Sequence, residues 1–358
     1  MAINRRDFLT LSATGMAAGL AASSAFGAGP AAGSNPNLGS GADSPSAPPQ
    51  TVRKGDMVYR RFGDKDELIS LLGLGGHHIG RIKDDQDSIR LMRAAIDNGI
   101  TFMDNCWDYH DGRSEELMGK ALQDGYRDRV FLMTKFDGRD RKTAASQMEE
   151  SLRRLRTDRI DLMQVHEVIR PHDPDLVFSE GGAMEALLEF QKAGKVRYIG
   201  FTGHKDPFVH RRMLEMAAER GVRFDAVQMP LNVLDAHFRS FQHEVLPLLV
   251  RNGIAPLGMK PLAQAYILKT KTASATECLH YAMSLPTSTV ITGIESMEIL
   301  QQALQAARSF KPMSREQLAE LLSRTQQVAM SGRYEPFKTT FEFDGTAKHQ
   351  EWLGNVGV

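Results

Sequence analysis

Apolar residues along this chain fall into short runs of four to six positions, separated by longer stretches in which they recur every third or fourth residue. The ordered pattern begins near residue 57. "MVYRRF", a turn at Gly63-Asp64-Lys65-Asp66 and "ELISLL" together predict a β-hairpin. Strand-like runs follow at 71–74, 101–104, 130–135, 161–166, 198–201, 226–229, 255–259 and 289–292. Between them lie segments such as "SIRLMRAAIDNG", "SEELMGKALQDG", "AASQMEESLRRLR" and "GAMEALLEFQKAG", each apolar along one helical face and several ending in glycine, a common helix terminator. Strands that alternate with helices predict an α/β fold with a parallel sheet, and eight of them match a closed (β/α)8 TIM barrel. An open doubly wound sheet would want a G-x-G-x-x-G turn, and "GLGGHHIG" lacks that spacing. The barrel domain, with the hairpin at its N-terminal end, is therefore expected over 53–330. A C-terminal tail, 331–358, carries Tyr334, Phe337, Phe341, Phe343 and Trp352. Its aromatics either close over the barrel mouth or cover exposed helix surface.

Composition narrows the function classes. The 358 residues contain 44 Lys plus Arg and 44 Asp plus Glu, so no basic field exists to hold nucleic acid. Two cysteines, Cys106 and Cys278, exclude a disulfide framework and a cysteine-rich iron–sulfur segment. Cys106 is expected to be a small buried hydrophobe. The N-terminus is a different material. Asn4-Arg5-Arg6-Asp7-Phe8-Leu9 precedes an Ala/Gly-rich apolar run at 11–28, which resembles a twin-arginine export signal. The run is too short to span a membrane well. Residues 1–28 are thus expected to be a signal cut between Ala25 and Ala32, and 29–52 a Ser/Pro/Gly-rich disordered linker. The expected location is periplasmic or otherwise extracytoplasmic, with the export machinery as a partner and no stable anchor after cleavage.

In a barrel, reactive groups gather at the C-terminal ends of the strands. Those ends offer Asp104, Lys135 and His166, with Tyr109 in the loop five residues beyond Asp104. A free phenol titrates near pH ~10, too high for ready proton exchange at neutrality. A neighbouring Lys135 ammonium is expected to lower that value, with Asp104 holding the lysine and His166 orienting a carbonyl or sharing the proton.

"FMDNCWDY…SEELMGKAL", "FLMTK", "DLMQVH" and "YIGFTGHKD" resemble the aldo-keto reductase superfamily in order and spacing, and the likeness runs from about residue 57 to 308. The resemblance implies a (β/α)8 barrel, a nicotinamide cofactor and a catalytic tetrad, which falls on Asp104, Tyr109, Lys135 and His166. It implies reduction of an aldehyde or ketone, or the reverse, with NADP(H) as cofactor and NAD(H) as the alternative. Thr202, Gly203 and Gln228 match positions near the nicotinamide amide. Gly203 stands where the family often has Asn. Met259 stands where a stacking aromatic is common, and Lys260, Pro261 and Leu262 run along the pyrophosphate. Gly293, Ser296 and Gln302 match the adenosine segment. Gly293 and Ile299 occupy places where a basic residue often grips a 2′-phosphate, and Glu295 adds a negative charge there.

His77, Trp107 and Phe136 are substrate-pocket candidates, with packing an equal reading for Trp107. Asp108 and Asp111 read as solvated loop positions. A rival reading is a metal-dependent barrel hydrolase built on His77, His78, Lys135, His166 and His204, which leaves Tyr109 without a role. No metal is assigned. The remaining rival is a non-catalytic nicotinamide-binding or regulatory barrel.

Overall fold

The computed structural model describes residues 50–355, so the twin-arginine segment 1–28 and the linker up to residue 49 lie outside the described residues. Three antiparallel strands come first, β1 (Val52–Lys54), β2 (Met57–Arg61) and β3 (Leu68–Ser70), in the order β1-β2-β3. Eight parallel strands follow: β4 (Leu72–Gly75), β5 (Phe102–Asp104), β6 (Phe131–Phe136), β7 (Ile160–Val165), β8 (Val196–Thr202), β9 (Ala226–Pro230), β10 (Ala255–Met259) and β11 (Thr289–Gly293). They close into a barrel in sequence order, with β11 pairing β4 through Val290↔Leu72 and its neighbours. The expected run 255–259 coincides with β10, and the others differ from their strands by one or two residues at one or both ends. The three-residue β1, an exposed strand with no apolar face, falls outside the expected hairpin, and Val52 falls within the expected linker.

The helices start where the sequence supplies caps. The Asp84 carboxylate accepts from the Asp87 amide ahead of the helix Asp85–Asp97, and Asp140 does the same for Thr143 ahead of Arg141–Leu155. Ser274 and Ser314 form reciprocal capping boxes with Glu277 and Gln317. Two apolar layers result. The larger one lies between strands and helices; the smaller fills the barrel with Phe102, Phe131, Met133, Leu162, Leu257 and Ile291.

Phe62, from the turn after β2, plugs that inner layer, its ring 4.9 Å from Phe131 and 5.0 Å from Tyr198. The hairpin thus seals the end of the barrel where the strands begin. Arg60 fastens it: the buried guanidinium donates to the carbonyls of Met283 (2.7 Å), Leu285 (3.1 Å) and Thr287 (2.8 Å). With that end closed, the C-terminal ends of the strands are left to form the pocket. Among the described residues, no helix is long and apolar enough to cross a membrane.

Candidate active site

The open end of the barrel holds a cavity of about 710 Å³, large enough for a drug-sized ligand. Lys135, one residue before the end of β6, lies at its floor. Its ammonium donates to Asp104 Oδ1 (2.6 Å), to the Asn105 carbonyl (2.7 Å) and to Tyr109 Oη (3.2 Å). Asp104 is fixed from the other side by Gln228, whose Nε2 donates to Oδ2 (2.6 Å). Gln228 in turn accepts from Gln164 Nε2 (2.8 Å). A chain of contacts thus runs from β7 through β9 and β5 to the lysine and the phenol. Tyr109 reaches it because the loop after β5 turns back at once, the Tyr109 amide donating to the Cys106 carbonyl. His166 follows β7 directly, its ring 6.0 Å from that of Tyr109 and almost perpendicular to it. The four tetrad candidates come together, and all four line the cavity.

The electrostatics of Tyr109 differ from the sequence expectation. Burial pushes its pKa up, and the carboxylate of Asp104 and the Cys106 and Asp108 groups push the same way. The phenol is thus held protonated, the form that a proton donor needs. For His166, burial alone would lower the pKa, but the Asp137 and Asp108 carboxylates more than offset it and the pKa is raised. Asp137 Oδ1 is 2.8 Å from His166 Nδ1. Asp108 is not a solvated loop residue: burial and Asp137 push its pKa to about 7.

The cofactor candidates split. Thr202, Gly203, Gln228, Met259, Lys260, Pro261, Leu262, Gly293 and Gln302 line the cavity, together with Ile299. Ser296 does not; its hydroxyl caps the helix Met297–Ser309 by accepting from the Ile299 amide. Gly203 is required by space, since a Cβ there would stand 2.2 Å from the Val168 carbonyl oxygen. Lys260, Ala263, Gln264 and Ala265 all adopt left-handed backbone, with φ of 55°, 45°, 53° and 64°. Non-glycine residues adopt this region uncommonly, and here three do so in succession. Arg81, not singled out in the sequence, lines the cavity beside the adenosine segment, with Nη1 3.9 Å from Glu295 Oε2.

Of the substrate-pocket candidates, His77 lines the cavity and packs edge-on against Tyr109 at 5.2 Å. His77 is exposed at the mouth, yet the surrounding cavity wall and then the charges of His78, His110, Lys260 and Arg81 lower its pKa, which favours the neutral imidazole. Phe136 and Trp107 stand outside the cavity lining. Phe136 is wholly buried between strands and helices, because Lys135 points into the mouth and the next residue of a pleated strand must point out. Trp107 donates to Glu150 Oε2 (2.7 Å) and packs edge-on against Trp352 at 5.8 Å. Cys106 is buried, as expected, with Sγ 3.2 Å from His166 Nδ1. The tail lies at the mouth, contributing Glu342, Phe343, Gly345 and Lys348 to the lining. The Glu167 carboxylate holds it by accepting from the Gly345 amide, the Thr346 amide and the Thr346 hydroxyl.

The closed barrel thus carries a cavity at its strand ends with an Asp-Tyr-Lys-His cluster on its wall. Residues 71–278 match the Aldo/keto reductase family, and the chain belongs to it. It is similar to the aldo-keto reductase YhdN of Bacillus subtilis, 34% identical over 217 residues that cover 56% of this chain and 61% of that protein. The chain thus spans about three-fifths of that relative's length. The oxidoreductase YqkF of the same organism is 25% identical over 76% of this chain and 97% of its own. Among solved structures, the holo form of an aldo-keto reductase from Bacillus halodurans shares the fold. Its TM-score is 0.63 at 23% identity, covering 74% of this chain and 95% of that one.

Proposed function

We propose that the protein reduces an aldehyde or ketone to the alcohol, or runs the reverse, with a nicotinamide cofactor. One observation carries the reading. Lys135 donates its hydrogen bond to the Tyr109 oxygen, which leaves the phenolic proton free for the cavity.

The residues fit a nicotinamide dinucleotide. Thr202 offers a hydroxyl at the end of β8, Lys260 an ammonium on a left-handed loop, and Gly203 the absence of a side chain. When bound, that cofactor supplies or accepts a hydride. The rest is done by side chains. Tyr109 gives its proton to the carbonyl oxygen as the carbon is reduced, and the Lys135 ammonium stabilises the phenolate left behind. Asp104 and Gln228 keep the ammonium in place. His166 orients the carbonyl, and neutral His77 shapes the space above the phenol. In the oxidative direction the same proton returns to Tyr109.

NADP(H) is the proposed cofactor, because Arg81 supplies a cation near the adenosine segment and partly neutralises Glu295. The Arg5-Arg6 motif supports export of the folded, cofactor-loaded protein across a membrane. Recovering the protein from a periplasmic fraction, and losing it there in the Arg5→Lys, Arg6→Lys double variant, checks this.

Tyr109→Phe tests the mechanism. Turnover of a carbonyl panel is expected to fall by about 10²–10⁴. Cofactor binding, read by quenching of protein fluorescence, is expected to stay within about twofold. Undiminished turnover overturns the assignment.

A further inference from the structure

Behind His166 lies a second constellation that shares only that residue with the reduction. Cys106 and Asp108 come from the loop after β5, Asp137 follows β6, and His166 follows β7. One ligand-type atom from each lies within 4.8 Å of the other three. His166 Nδ1 is 3.2 Å from Cys106 Sγ, 2.8 Å from Asp137 Oδ1 and 3.6 Å from Asp108 Oδ1. Two carboxylate oxygens here are buried without any hydrogen-bond partner, Asp108 Oδ1 and Asp137 Oδ2. Asp137 is fully buried. An ionised carboxylate removed from water costs several kcal/mol unless a cation or donor compensates it. The single imidazole bonds Asp137 Oδ1 and leaves Asp108 Oδ1 and Asp137 Oδ2 without a donor.

We propose that Cys106, Asp108, Asp137 and His166 form a four-ligand site for a zinc-class divalent cation. The donor chemistry selects the metal. A thiolate and an imidazole favour zinc over magnesium or calcium, which prefer six or more oxygens. Tetrahedral bonds of about 2.0–2.3 Å place ligand atoms about 3.3–3.8 Å apart. The observed spacings bracket that range, so the shortest open by a few tenths of an ångström on binding. The ion displaces the thiol proton of Cys106, any proton on His166 Nδ1 and any proton on the Asp108 carboxyl to solvent, and no redox change occurs.

The consequence reaches the active site without touching substrate. A metal on Nδ1 fixes the imidazole as its Nε2–H tautomer, so the nitrogen left for the cavity is a neutral donor. Asp108 and His166 both line the cavity, whereas Cys106 and Asp137 lie outside the lining. The ion would therefore sit in the wall rather than in the substrate's path. It orients His166 and acts as a positioning element.

The test uses the whole chain and needs no substrate. Chelator-treated protein is titrated with Co²⁺ and followed by its visible and near-ultraviolet spectrum. Saturation at one equivalent is expected, with tetrahedral cobalt bands, a thiolate-to-cobalt charge-transfer band, and displacement by Zn²⁺. Cys106→Ser is expected to lose the charge-transfer band, and Asp137→Asn to weaken binding at least about tenfold. Cys278→Ser, on the helix Ala275–Ser284, is expected to change neither. Circular dichroism checks that each variant is folded. Zinc-edge X-ray absorption of the wild type gives a reading independent of the variants, with one sulfur scatterer expected. Lack of saturable uptake by the wild type, a shell without sulfur, or a charge-transfer band that survives Cys106→Ser overturns the proposal.

Discussion

Gln228 shows how much of a reactive group's behaviour is set one residue away. Its amide spends its donor on Asp104 and its acceptor on Gln164, so neither Asp104 oxygen is free to wander from Lys135. Gln228→Leu removes the donor while filling the space. It leaves Asp104 Oδ2 buried without a partner, at a cost of about 1–3 kcal/mol. Steady-state kinetics are expected to show kcat reduced about tenfold or more. At the far end of the cavity, Arg81→Ala is expected to raise the KM for NADPH about tenfold while changing that for NADH about twofold or less. Equal effects on both cofactors would remove Arg81 from the 2′-phosphate. Asp104, Tyr109, Lys135 and His166 were legible because strand ends are a small set of positions and the four groups complement one another. Asp108 and Asp137 were not, since a carboxylate in a loop carries no sign of burial until the loop's path is known. Phe136 was misread for a reason that the sequence did contain. Thr134 bonds outward to Glu115 and Lys135 points inward, so pleat alternation sends Phe136 outward again.

At the scale of elements, the helix Arg113–Ala121 is pinned to the barrel by a buried acid. Glu115 accepts from Thr134 Oγ1 (2.6 Å), with Arg154 Nη1 at 3.5 Å. Burial nevertheless dominates and raises its pKa from 4.5 to about 7. The folded state thus binds this proton more tightly than the unfolded chain. The contribution to stability is fully present below pH ~4.5 and is lost as pH rises towards about 7. Urea midpoints at pH 5 and 7.5 are expected to carry a fall on the order of 2–3 kcal/mol from this group, absent in Glu115→Gln. The hairpin supplies a second expectation. Arg60→Met leaves three carbonyls near the end of the helix Ala275–Ser284 without their donor, and is expected to cost about 2–4 kcal/mol in chemical denaturation. Element order and type were readable from periodicity, because each strand carries its own apolar run. Strand β1 and the left-handed turn at Ala263–Ala265 were not. The first is exposed and polar, and the second uses alanine and glutamine where a turn usually announces itself with glycine.

Across the described residues the fold is a barrel closed at one end by the hairpin of β2 and β3 and roofed at the other by the tail. The sequence left the tail divided between mouth and helix surface, and it does both. Phe343 and Gly345 line the cavity, while Trp352 packs on Trp107 and its carbonyl accepts from Gln147. No local pattern could say so, because the contacts join residues some 180 positions apart, such as Glu167 and Thr346 (178 and 179 positions separate the bonded pairs). Thr346→Val deletes the hydroxyl that donates to Glu167 and accepts from Arg170, at a cost of about 1–2 kcal/mol to the closed tail. Hydrogen exchange over 341–355 is expected to quicken about tenfold, and substrate KM to rise several-fold, while global unfolding shifts little.

This roof also has a place in time. Ribosomes make Glu342, Phe343, Gly345 and Lys348 after every strand and helix of the barrel, so the cavity exists as an open bowl before it exists as a chamber. A ligand bulkier than the finished mouth admits is therefore expected to bind better when it is present during refolding than when it is added to the folded protein, which an order-of-addition measurement checks.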